Sequence, residues 1–104
     1  MLDTLKAALA RTELPFAHFG WSTAPDGDYG VYAEDGAADL SAGNAHAEKL
    51  VEGTLDYFTR DDSLAVQPTI EAALTEAGCA WYLESIQFEN DTGFIHLEWV
   101  WQVI

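Results

Sequence analysis

Positive charge is what this 104-residue sequence has least of: four Lys and Arg stand against 18 Asp and Glu, for a formal net charge of −14. Such a chain repels phosphate backbones and lacks the basic stripe by which nucleic acids are gripped, so a sequence-reading DNA binder is not expected. Cysteine is almost missing too. Cys79 alone rules out an internal disulfide framework and fits a reducing compartment or a small buried hydrophobe. No apolar run approaches the ~20 residues that span a bilayer. The start, Met1-Leu2-Asp3-Thr4-Leu5-Lys6, has no basic segment followed by a long apolar stretch, and the expectation is a cytoplasmic chain.

Signatures of chemistry are equally scarce. The sequence contains no Gly-x-Gly-x-x-Gly, no phosphate loop, no Gly-x-Ser-x-Gly turn and no EF-hand spacing. His18, His46 and His96 are scattered without metal-ligand spacing, and one cysteine cannot build a structural zinc site. Neither a cofactor nor a metal centre nor a catalytic site is therefore expected. On a polar strand face, His96 reads as solvated or hydrogen-bonded across the sheet. Acid pairs such as Glu34-Asp35 and Asp61-Asp62 are common here, and Asp61 and Asp62 are expected to cap the helix that follows them.

What is present is the material of a core. Hydrophobic side chains make up 49% of the chain, with 4 Trp, 4 Tyr and 5 Phe, which a disordered acidic tail would not carry. The length suits one domain, residues 1–104. Leu2, Leu5, Ala8 and Leu9 fall at helical spacing and predict a short helix over 2–12. A first strand is expected near 16–22, closed by the turn-forming run Ser22 to Asp28, and a second where Tyr29, Val31 and Ala33 alternate with Gly30, Tyr32 and Glu34. Asp35 to Ala47 has small residues and no aromatic, and reads as a long functional or mobile loop. Over 48–59, Val51, Gly53, Leu55 and Tyr57 share one face, with Glu48, Glu52, Thr54 and Asp56 on the other.

Leu64, Ile70, Ala73, Leu74 and Ala77 form a helical stripe stopped by Gly78, and Pro68 places the regular start of that helix after Gln67. The last quarter predicts a hairpin, Ala80–Glu89 and Phe94–Ile104 about the turn Asn90-Asp91-Thr92-Gly93, with Ile95, Leu97, Trp99, Trp101 and Val103 on one face. The expected fold is α+β: a mostly antiparallel sheet of about four to five strands against two helices, in the order helix, strands, helix, β-hairpin. Trp81, Trp99 and Trp101 are assigned to the core rather than to base stacking. Phe19 and Trp21, near a Pro-Gly turn, are the aromatic candidates for a protein interface.

Several segments together resemble the tail-completion, or tail-terminator, proteins of long-tailed bacteriophages and prophages. They are the short N-terminal helix, the approach Ala24-Pro25-Asp26-Gly27-Asp28-Tyr29-Gly30-Val31-Tyr32, the loop with Asp39 and Asn44, the passage Leu55-Asp56-Tyr57-Phe58-Thr59-Arg60-Asp61-Asp62, and the closing Glu98-Trp99-Val100-Trp101-Gln102-Val103. The resemblance implies a virion protein, assembled in the host cytoplasm, that forms a ring of about six copies at the head-proximal end of the tail tube. Such a ring stops tube growth and helps form the head-tail joint. Its implied partners are copies of itself, the tail-tube protein and the head-tail connector protein, with the genome passing through unread and no membrane involved. No catalytic residue is implied. Interface residues are expected at Phe19, Trp21, Asp35, Gly36, Asp39, Leu40, Asn44 and His46, and an acidic surface toward the channel at Glu48, Glu52, Asp56 and Glu98. The alternative from another class is an acidic DNA mimic that inhibits a DNA-binding enzyme.

Overall fold

The computed structural model describes residues 2–38 and 50–103. Its elements follow in the order α1 (Leu2–Arg11), β1 (Phe16–His18), β2 (Tyr29–Ala38), β3 (Leu50–Thr59), α2 (Val66–Glu76), β4 (Ala80–Phe88) and β5 (Ile95–Val103). The five strands form one sheet in the order β1-β2-β3-β5-β4, antiparallel except for the short parallel β1–β2 pair. This is the expected α+β architecture.

Both helices contribute to a single core on one face of the sheet. Leu5, Ala8 and Leu9 of α1 and Ile70, Ala73 and Leu74 of α2 are buried with Tyr32, Leu55, Tyr57, Leu97, Trp99, Trp101 and Val103. Period-two alternation produces this on β3 and β5, because every second side chain points to the helices. Trp99 and Trp101 are fully buried, as are Tyr57 and Leu97. The Trp99 indole N–H donates to Glu71 Oε2 of α2 at 3.1 Å, so this large side chain buries its polar edge without leaving it unpaired. On β2 the core side belongs to Gly30 and Tyr32, while Tyr29, Val31 and Ala33 take the opposite face.

Local chemistry moves three boundaries from their sequence expectations. Strand β1 ends at His18 rather than near residue 22, because Phe19 adopts φ 70° while its N–H donates to the Tyr32 carbonyl at 2.8 Å, turning the chain away. Residues 35–38 are strand, not loop: after a bulge at Asp35, Gly36, Ala37 and Ala38 pair with Glu52, Val51 and Leu50. Backbone pairing with β3 organises this stretch. The rest of the expected loop, 39–47, lies outside the described residues, as does the expected beginning of the third strand at residues 48 and 49.

Helix α2 begins before Pro68, which occupies its first turn, where the missing N–H would have had no helical partner anyway. Asp61 and Asp62 do not cap it. Its N-cap is Ala65, without a side-chain bond, and Asp61 Oδ1 instead accepts the Ser63 N–H at 3.0 Å in the preceding turn. At the other end Gly78, at φ 82°, stops the helix as expected. Gly78 N–H donates to Thr75 O and Cys79 N–H to Leu74 O, the paired bonds of a Schellman motif. Cys79 follows into the core, where burial pushes its thiol pKa up.

Candidate functional site on the open sheet face

With both helices on one side, no described helix packs on the other side of the sheet, and Glu52, Asp56 and Glu98 lie there. Glu52 and Asp56 of β3 alternate with core-facing residues, and so do His96, Glu98 and Gln102 of β5. Antiparallel register makes Asp56 and Glu98 direct partners, Phe58 the partner of His96, and Glu52 the partner of Gln102. Cross-strand partners on one face lie within reach of each other. Three side chains from two strands thereby converge: the ligand atoms of Asp56, His96 and Glu98 all lie within 4.8 Å of one another.

Their geometry is held from several directions. His96 Nε2 meets Asp56 Oδ1 at 2.7 Å, and its Nδ1 lies 3.5 Å from Glu89 Oε2, at the end of the β4–β5 turn. The imidazole stacks on Phe58 with ring centroids 4.3 Å apart and planes 25° from parallel. Phe58 in turn stacks on Tyr29 and meets Phe94 edge-on. Glu52 Oε1 accepts from the Gln102 side-chain amide at 2.8 Å. Glu98 is left in partial burial beside Asp56, and desolvation followed by the Asp56 charge raises its pKa, while His96 partly offsets them. Of the described cations, Lys6 and Arg11 lie in α1, and Arg60 lies just beyond β3.

Arg60 closes one end of this face. Its guanidinium lies 3.8 Å from the Phe94 ring centroid, donates to Thr92 O from Nε and Nη2, and reaches Asp26 O from Nη1 at 3.2 Å. Two loops far apart in sequence are tied there. Next to it the buried Thr59 hydroxyl donates to Asp28 Oδ2 at 2.7 Å.

The expected acidic surface is therefore partly assembled: Glu52, Asp56 and Glu98 share one face, and Glu48 lies outside the described residues. The expected interface set divides. Phe19 is 66% exposed beyond β1, and Trp21, also exposed, donates its indole N–H to Gly30 O at 3.0 Å. Asp35 is exposed at the β2 bulge, with Gly36 next to it in the strand. Asp39, Leu40, Asn44 and His46 lie outside the described residues. His96 does hydrogen-bond across the sheet, but its place among Asp56, Glu98 and Glu89 was not legible, since the four come from three separate stretches of chain. Also missed was the apolar edge of β4, where Tyr82, Ile86 and Phe88 are exposed. A shift of register between Leu83 and Ser85 displaces the second half of that strand, so simple alternation misreads it.

Comparison with protein-family models gives no match to this chain, and comparison with curated protein sequences gives none either.

Proposed function

We propose that this chain is a structural subunit that caps the head-proximal end of a phage tail tube, stops tube growth and helps form the head-tail joint as a closed ring. The observation that carries the reading is the difference between the sheet's two edges. One edge is β4, a nine-residue strand whose Tyr82, Ile86 and Phe88 are 56%, 43% and 62% exposed. The other is β2, which β1 covers only over Gly30, Val31 and Tyr32, leaving Ala33–Ala38 without a neighbour on that side among the described residues.

Unpaired strand edges are templates for another chain. Two unlike edges joined head to tail make a heterologous contact, and such a contact yields a ring when its rotation closes. Phe19, Trp21, Asp35 and Gly36 belong to the β1–β2 side of that contact. Glu52, Asp56 and Glu98 then form a negative surface which, turned to the channel, repels phosphate and lets the genome pass without adsorption. The partners in this role are copies of the chain, the tail-tube protein and the head-tail connector protein, and the place of work is the virion. The role is one of surfaces, with no catalysis.

Native mass measured over a wide concentration range, with and without assembled tail tubes, tests the reading. The expected result is a closed species of about six chains, free in solution or on tube ends. A chain that stays monomeric and leaves tubes unbound overturns it. The gathering of acids on one face favours a second reading, a DNA mimic, whose mark is a monomer that binds a basic DNA-binding enzyme tightly and is displaced by DNA.

A further inference from the structure

We propose that Asp56, His96 and Glu98 bind a divalent first-row transition-metal ion of the zinc type, held across β3 and β5 by one imidazole nitrogen and two carboxylate oxygens. The three ligand atoms lie within 4.8 Å of one another. An ion about 2.1 Å from each needs them roughly 3–3.5 Å apart, a difference that side-chain rotation covers without moving the strands. Those strands are paired in continuous register from Val51–Val103 to Thr59–Ile95, so the ligands sit on a rigid part of the sheet rather than on loops.

Histidine makes this more than a crowd of acids. Phe58 stacks on the imidazole and sets its plane, and Glu89 stands behind Nδ1 at 3.5 Å while Nε2 points toward Asp56. A carboxylate behind one ring nitrogen is the arrangement that fixes the tautomer and aims the other nitrogen at a metal. Two carboxylates and a neutral imidazole match a divalent charge. Among the described residues no Lys or Arg pairs with Asp56 or Glu98 to compete for that role. The mixed nitrogen and oxygen set suits Zn²⁺, Co²⁺ or Ni²⁺ better than Mg²⁺ or Ca²⁺, which favour oxygen alone. Three protein ligands on an open face leave a coordination position for water.

The test uses the full chain, stripped with a chelator and titrated with Zn²⁺ by calorimetry and with Co²⁺ by visible absorption. The expected outcome is uptake of one ion per chain, with Co²⁺ d–d bands that Zn²⁺ abolishes and that a large excess of Mg²⁺ does not. His96→Ala and Glu98→Gln should each weaken Zn²⁺ binding about tenfold or more, and Glu89→Gln, a positioning change, by about tenfold. His18→Ala, in β1, should leave it unchanged. Circular dichroism checks that each variant is folded; if His96→Ala is not, Glu98→Gln, which keeps the side-chain volume, decides. Lack of stoichiometric uptake, or uptake undiminished in Glu98→Gln, overturns the proposal and leaves His96 and Asp56 as a hydrogen-bonded pair alone.

Discussion

Gly53 of β3 lies directly against Trp101 of β5, its register partner, in the space that any side chain at position 53 would need. A Cβ placed there would collide with the Trp101 ring and with the Ala33 carbonyl oxygen of β2. Trp101 is fully buried, so neither neighbour can give way cheaply. Gly53→Ala should therefore destabilise the protein by roughly 3 kcal/mol, the upper end of ordinary overpacking, despite the better intrinsic strand propensity of alanine. Thermal denaturation reads this directly, at about 4–8 °C per kcal/mol for a domain of this size. An unchanged melting temperature would show that Trp101 can rotate away.

Arg60 should matter more than its exposure suggests. Besides lying over Phe94, it donates to carbonyls of the Asp26 and Thr92 loops. Arg60→Ala is expected to cost about 1–2 kcal/mol. Arg60→Lys should recover little of it, because an ammonium cannot stack and fork to both loops at once. The exposed Arg11–Glu76 pair between α1 and α2 supplies the contrast: Arg11→Ala should change stability by less than about 1 kcal/mol. Urea titration of the three variants checks the ranking, and equal effects for Arg11→Ala and Arg60→Ala would contradict it.

The same contrast between local and long-range chemistry explains how much of the molecule the sequence revealed. Burial alternation at Leu55, Tyr57, Leu97, Trp99 and Trp101 is a one-dimensional signal, and it located the central strands and the core face. Gly78 announced a helix end because its positive φ is a local property. By contrast, the strand character of Gly36–Ala38 depends on pairing with β3, and nothing within those small residues declares it. Pro68 looked like a helix breaker because its effect changes sign with its distance from a start that the sequence does not mark. Glu52, Asp56 and Glu98 were legible as acids on polar faces. Their convergence with His96 and Glu89 was not, since it requires the β3–β5 register and the course of the hairpin turn.

The β4 edge yields a prediction about assembly. Ile86 and Phe88 are exposed and lie outside the buried core, so Ile86→Lys with Phe88→Lys should leave the folded subunit intact. Lysine on an edge strand opposes edge-to-edge pairing. If the chain assembles through this edge as proposed, sedimentation velocity should find the doubly substituted chain monomeric at concentrations where the wild type is oligomeric, with far-UV circular dichroism unchanged. Rings that persist would place the subunit contact on another surface.

Tyr57 carries the clearest pH dependence. Its ring is buried against Phe16, its hydroxyl has no hydrogen-bond partner among the described residues, and burial together with the Asp28 charge pushes its pKa up to about 12 from 10.0. A phenol whose pKa is raised by folding stabilises the folded state fully below the unfolded value. That contribution is lost as pH rises from about 10 to about 12, because the unfolded chain releases the proton first. Tyr57→Phe should remove this part of the alkaline transition. It should also raise stability near neutral pH by about 1 kcal/mol, since a buried hydroxyl without a partner is eliminated while the ring packing stays. Urea midpoints measured from pH 7 to pH 12 give both quantities. A variant as alkali-sensitive as the wild type would mean that other groups carry the alkaline transition, and one less stable at pH 7 would mean that the hydroxyl has a partner after all.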